Sequence, residues 1–208
     1  MPWFEERRQN GLNASISEKP LNKPWKVDPE STTPIEGPYF NVVVVDVRNA
    51  LTREVEKWRQ PMIEPAHFEY PVNPQDRVSG LVALFRRRFN GRMEYLVQAK
   101  AEPGNDTRGG VVLAPSIEAS YSNIKKHPGK IPLMNHLDLK SEKTQTVTQP
   151  KDGGRFFKAN NLLVMQSIEK HTFPVPETHI WATREAIREI QKLGLSNEHL
   201  NAVIGVFT

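Results

Sequence analysis

The 208-residue chain carries 38% hydrophobic and 25% charged residues, a net charge of +4 and no cysteine. These values suit one domain with an ordinary core, or a domain with an arm, and exclude wholesale disorder. They also exclude disulfides, thiolate nucleophiles and zinc–thiolate sites, and no apolar run approaches the roughly 18 residues of a membrane span.

Residues 1–38 are proline-rich, alternate in charge sign and show no sustained periodicity, so they are expected to form an extended arm lying over the domain or a partner. Trp3, Phe4 and Trp25 argue against pure disorder there. The opening MPWFEERRQN lacks the apolar stretch of a secretory signal, which predicts a cytoplasmic setting. The domain proper, residues 39–208, starts with the valine-rich strand YFNVVVVDV, expected to be covered on both faces. LTREVEKWRQ, residues 51–60, reads as a helical turn ended by Pro61. SGLVALFRRR and MEYLVQAKA flank Asn90-Gly91, a dipeptide suited to positive backbone dihedrals, and so predict a hairpin.

Further strands are expected at residues 111–121, at 139–149 with alternating threonines, and in NNLLVMQSIE. Thr183 caps a helix whose stripe is Ala186, Ile187, Ile190 and Leu193, which Gly194 ends; Ser196 starts a second helix. The sum is an α+β domain, sheet first and helices last. Arg86, Arg87 and Arg88 form the one compact basic run, but a strand alternates faces and cannot present all three together, which disfavours a nucleic-acid patch.

The densest polar patterning lies between Tyr95 and Asn123. Leu96, Gln98, Lys100 and Glu102 share one strand face, and Ser116, Glu118, Ser120 and Ser122 repeat the pattern after a glycine-rich loop. Two such rows facing each other suit a pocket lining better than a solvated surface. No Gly-x-Ser-x-Gly elbow, P-loop or dinucleotide fingerprint is present, and the six histidines lack the tight spacing of a common metal site. What remains is proton-transfer equipment: Glu102, Glu118, Lys100, Tyr121 and His127. Plainer roles stand beside these: Glu102 as acceptor for the Gly104-Asn105 loop, Lys100 and Glu102 as a simple ion pair, His127 as a solvated loop residue. Arg155 and Phe156, after Gly153-Gly154, offer a guanidinium and an aromatic face suited to a nucleotide diphosphate, although a glycine turn with a surface arginine is the default reading.

Several stretches, in order, resemble the NDP-hexose 2,3-dehydratases of deoxysugar biosynthesis. They are Arg53-Glu54-Val55, Trp58-Arg59-Gln60-Pro61, Leu96 to Lys100, Glu102-Pro103-Gly104-Asn105, Leu113 to Ser116, Ser122-Asn123, Gly153 to Phe156 and Asn197 to Asn201. The resemblance spans about residues 37–208. It implies a Nudix-like mixed sheet without a metal-binding glutamate box, and a reaction with no metal or redox cofactor. The implied substrate is a dTDP-linked 4-keto-6-deoxyhexose, held by Trp58, Arg59, Gln60, Gln98, Asn105, Ser116, Ser120, Asn123, Arg155 and Phe156. A downstream ketoreductase or aminotransferase is implied as a pathway partner. Family members usually carry two tandem units where this chain has about one, so a homodimer is expected to restore the pair. Glu118 stands where the family pattern usually has glutamine, and Ser116 where it usually has threonine.

Overall fold

The computed structural model describes residues 1–9, 40–48, 57–65, 67–69, 77–102, 110–127, 129–151, 155–169 and 173–208. Its first element departs from the expected extended arm. Pro2–Gln9 is a helix, α1, with Phe4 fully buried in the main core and Met1 and Trp3 packed against that core. The short apolar segment lacked visible period because one buried ring supplies its anchorage. Residues 10–39, which include the rest of the proposed arm, lie outside the described set.

Two antiparallel strands follow, β1 Phe40–Arg48 and β2 Lys57–Pro65, which form a sheet of their own. The predicted helical turn is therefore wrong over residues 57–60. Pro61 sits inside β2 opposite Val44, and pairing with the valine run outweighs the local helical pattern of LTREVEKWRQ. Ile63 ties this hairpin to the domain: its N–H donates to Arg155 O (2.8 Å) and its carbonyl accepts from Phe157 N (2.9 Å).

The central sheet is built on β3 Gly80–Phe89 and β4 Arg92–Ala101, joined as expected by Asn90-Gly91 with φ of 48° and 77°. The pair hold together from Phe85–Leu96 to Phe89–Arg92, then diverge. A wedge enters the opening. Strand β5, Val111–Pro115, rises along β4; the chain reverses at Ser116; and β6, Ile117–Ser120, descends along β3. The strand predicted over residues 111–121 is thus two strands running in opposite directions. Helix α2, Tyr121–Lys126, follows at once with Ser120 as its N-cap.

Beyond β3 lie β8, Asn160–Ser167, parallel to it, and β7, Thr144–Pro150, at the sheet edge; β9, His179–Thr183, pairs with the other side of β4. Helices α3 Arg184–Lys192 and α4 Glu198–Phe207 close the chain. Thr183 caps α3 as expected, whereas the cap of α4 is Asn197 rather than Ser196. The α+β class, with a mixed sheet and C-terminal helices, matches the sequence expectation.

Apolar side chains cover both faces of the sheet. Val82, Leu84, Val97, Leu113, Leu163 and Met165 pack against α1, α3 and α4, while Leu81, Phe85, Leu96, Ile117, Leu162 and Val164 face Tyr121, Leu133 and Phe173. β3 is buried on both sides, which accounts for its unbroken apolar run. The arginine run divides as predicted. Arg86 donates to Ser167 Oγ (2.8 Å), while Arg87 pairs with Glu94 (2.8 Å) and lies over the Trp181 ring at 4.1 Å.

Candidate functional site

The wedge between β3 and β4 builds the site. At its apex Ser116 is buried; its hydroxyl accepts from Phe85 N (3.0 Å) and donates to Leu96 O, bonding the two strands where they part. Gln98 donates to Pro115 O (2.8 Å), and His179 Nε2 lies 2.9 Å from Ser116 O. A carbonyl only accepts, so Nε2 carries the proton and Nδ1 accepts from Thr178 Oγ1 at 3.0 Å. Burial pushes the His179 imidazole below its ordinary pKa of 6.5, against the hydrogen bond to Ser116. Gln98 and Ser116, predicted to face substrate, are here committed to main-chain partners.

Two residues further along each strand the chemistry changes. Lys100 Nζ donates to Glu118 Oε1 (2.6 Å) and to Glu102 Oε1 (3.2 Å). The loop before α4 runs beside β5, with Leu113 N donating to Leu195 O and Asn197 N to Leu113 O. That pairing presents Asn197, whose Oδ1 caps α4 by accepting from Leu200 N (2.9 Å). Its Nδ2 is thereby turned outward and donates to Glu118 Oε2 (2.7 Å) and Glu102 Oε1 (2.9 Å). In the first turn of α4, His199 Nδ1 stands 3.0 Å from Glu118 Oε1, and its Nε2 is 3.0 Å from Asn161 Nδ2. The network is self-consistent when Nδ1–H donates to the carboxylate and Nε2 accepts from the amide.

Glu118 therefore receives three donors, from β4, the Asn197 cap and α4. Burial pushes its carboxyl up, but the hydrogen bond from His199 and the charge of Lys100 outweigh that and hold it down at about 2. Glu118, Lys100 and His199 line a cavity of about 270 Å³ together with Ser120, Asn123 and Lys151. A second cavity of about 270 Å³ adjoins it through Lys151, Asn161 and His199, and is bordered by Phe156, Glu198 and Ala202. Gly80 forms the floor between strands: a Cβ there would meet Asn161 Oδ1 at 2.3 Å, so a side chain would force that amide away.

The structure brings Glu102, Glu118, Lys100, Ser120 and Asn123 to one locality, with Phe156 in the adjoining cavity. Tyr121 goes elsewhere. Its ring belongs to the apolar layer around Leu81 and Phe85, where burial and the charge of Glu69 push its hydroxyl up to about 12. His127 ends α2 and borders a separate hollow with Ile131 and Met134. Arg155 is exposed, its guanidinium 5.9 Å from the Phe156 ring centroid. Trp58, Arg59 and Gln60 lie on β2, with side chains outside the described part; Asn105, Gly153 and Gly154 fall outside it altogether. Sequence reasoning missed Lys151, Asn161 and His199. Asn197, an amide directly before a helix, and His199 left a trace only as members of the Asn197 to Asn201 stretch. Among the described residues no three His, Asp or Glu side chains are grouped as metal ligands.

Fold and site thus define a mixed-sheet α+β protein with an internal carboxylate–lysine–histidine cluster opening on paired cavities. The chain belongs to the NDP-hexose 2,3-dehydratase family, whose model matches residues 1–203. It is 31% identical over 163 residues to a dTDP-4-dehydro-6-deoxy-alpha-D-glucopyranose 2,3-dehydratase of Streptomyces violaceoruber, covering 76% of this chain and 32% of that protein. A Saccharopolyspora spinosa protein of the same description is 29% identical over 196 residues, 90% of this chain and 37% of that one. The chain accordingly spans about a third of the length of these relatives. Among solved structures, the Ap4A hydrolase of C. elegans overlaps 61% of this chain and 98% of its own at a TM-score of 0.32 and 11% identity.

Proposed function

We propose that the chain acts as a sugar-nucleotide 2,3-dehydratase on a dTDP-linked 4-keto-6-deoxyhexose, in deoxysugar biosynthesis and without a metal or redox cofactor. The observation that carries this reading is the three-donor cradle of Glu118 at the wall of a cavity, in a chain of this family. The ketone at carbon 4 acidifies the carbon-3 proton, so a positioned base removes it and the resulting enolate expels the carbon-2 hydroxyl. The enol so formed rearranges to a 3,4-diketo sugar.

Glu118, ionised far below neutral pH, is a weak base and a strong anchor. Its part is to hold the Lys100 ammonium and the His199 imidazole. With Nδ1–H fixed on Glu118, the His199 Nε2 lone pair is the acceptor on the cavity side, shared with Asn161 until substrate displaces that amide. Glu102 completes the cluster through Lys100 and Asn197. Ser120 and Asn123 border the cavity as sugar contacts, and Phe156 offers a ring face to the nucleotide. A homodimer is proposed as the arrangement that brings two such units together. The cytoplasm is the expected setting, and the labile product calls for a ketoreductase or aminotransferase downstream.

The test is deuterium wash-in at carbon 3. Purified protein given a dTDP-4-keto-6-deoxyhexose in D₂O is expected to exchange the carbon-3 proton of the remaining substrate for deuterium, and to release water with a diketo product labelled at carbon 2. Protein that neither exchanges that proton nor consumes the sugar nucleotide sinks the proposal. The saturated hydrogen bonding of Glu118 favours one rival, a sugar-nucleotide binder without turnover. That rival predicts thermal stabilisation by the sugar nucleotide with no exchange.

A further inference from the structure

Lys151 stands where the two cavities meet and has no part in the cluster that holds Glu118. Its position follows from the fold. β7 ends at Pro150, and the Lys151 N–H then donates to Ala159 O (2.9 Å), which keeps the residue beside the start of β8. The side chain reaches across Gly80, whose missing side chain makes the room: a Cβ there would lie 3.1 Å from Lys151 Nζ. Lys100, the other lysine of the cavity wall, is taken up by two carboxylates at 2.6 and 3.2 Å. The Lys151 ammonium, in contrast, makes no ion pair with any described carboxylate, and its aromatic neighbour is the Phe156 ring at 5.5 Å.

We propose that Lys151 contacts the substrate directly and donates to the ketone oxygen at carbon 4 as the carbon-3 proton leaves; this rests on the dehydratase reading above. In that step the C3–H pair becomes the C3–C4 π bond, and the C4–O π pair moves onto oxygen, where the ammonium receives it by hydrogen bond. When the oxygen pair returns to the C4–O π bond, the C3–C4 π pair moves to C2–C3, the C2–O bond breaks, and the hydroxyl departs with its bond pair and the proton held by the base, so that one water is lost. The reaction needs a donor aimed at the developing oxyanion, and an ammonium not already neutralised by a carboxylate is the group suited to it.

Charge and burial support the assignment. Burial lowers the pKa of Lys151 while the charge of Glu118 opposes that shift. Among the described residues, the charged and titratable groups around it are Glu118 from β6, Lys100 from β4, Glu198 and His199 from α4, and Arg155 beside Phe156.

The experiment compares the 208-residue chain with Lys151→Ala and Lys151→Arg in the carbon-3 exchange assay, using the dTDP-4-keto-6-deoxyhexose as probe. Lys151→Ala is expected to exchange about 10²- to 10³-fold more slowly, the cost of removing one oxyanion donor, while the sugar nucleotide still raises its melting temperature. Added ethylamine is expected to restore part of the rate, Lys151→Arg to retain part of it, and the basic limb of the wild-type pH profile to lie below the ordinary lysine value of 10.5. Wild-type exchange in Lys151→Ala overturns the proposal while leaving the dehydratase reading intact. Loss of exchange that ethylamine does not rescue, or that comes with loss of sugar-nucleotide binding, overturns it in favour of a structural role. A wild-type chain that neither exchanges that proton nor consumes the sugar nucleotide overturns both.

Discussion

The two ends of one polar row teach different lessons. Gln98 and Ser116 occupy the closed end of the wedge, Lys100 and Glu118 its open end, and the strand period of two carries both pairs. At the closed end Ser116 bonds to the Phe85 and Leu96 main chain where β3 and β4 separate, and Gln98 bonds to the Pro115 carbonyl of β5. At the open end the side chains bond to one another and to groups delivered by α4. A strand pair that splits exposes backbone donors and acceptors, and those must be satisfied first. Polar side chains become available for chemistry only after that need is met.

Substitutions at the two ends should separate the effects. Glu118→Ala removes the acceptor shared by Lys100, His199 and Asn197, so carbon-3 exchange is expected to fall by about 10²- to 10⁴-fold, the range for losing positioned proton transfer. Glu118→Gln, which keeps one carbonyl oxygen for the imidazole, should fall by less; equal losses in the two variants would mean that the negative charge itself is required. Ser116→Ala should act on stability instead, costing about 1–3 kcal/mol for stranding buried backbone groups. Urea melts should show that loss, while exchange per folded molecule stays close to wild type. A Ser116→Ala protein with full stability and impaired exchange would dissolve the distinction.

The smallest effects lie in the pH dependence of stability, where the ends titrate in different windows. The folded His179 value is depressed below 6.5, so between that pH and its folded value the unfolded chain binds more protons. Its contribution is complete above pH 6.5 and declines as pH falls. Glu118 is depressed from 4.5 to about 2, so its contribution is complete above pH 4.5 and is lost on the way down to 2. Melts of His179→Gln against wild type should diverge in slope beginning near pH 6.5, and melts of Glu118→Gln only below 4.5. Divergence of both in the same window would show the two ends to be electrostatically one unit.

Much of the fold was legible from local signals that burial reinforced. The Asn90-Gly91 turn, the apolar run of β3 and β8, and the Thr183 cap each satisfy backbone and core by the same residues. The readings failed where distant partners decided. Residues 57–60 joined a strand because β1 was there to pair with them, and Pro2–Gln9 coiled because Phe4 found a core to enter.

The site divides along the same line. Periodicity along the chain determined that Lys100, Glu102 and Glu118 lie in matching polar rows, since side-chain alternation is a property of the strand itself. It could not say that the wedge reverses at Ser116, or that Asn161, Lys151 and His199, from separate parts of the chain, converge on the same cavity. Those groups are brought together only by the splaying of β3 from β4 and the docking of α4 beside β5. Tertiary packing, not local pattern, chose which of the polar residues face the cavity.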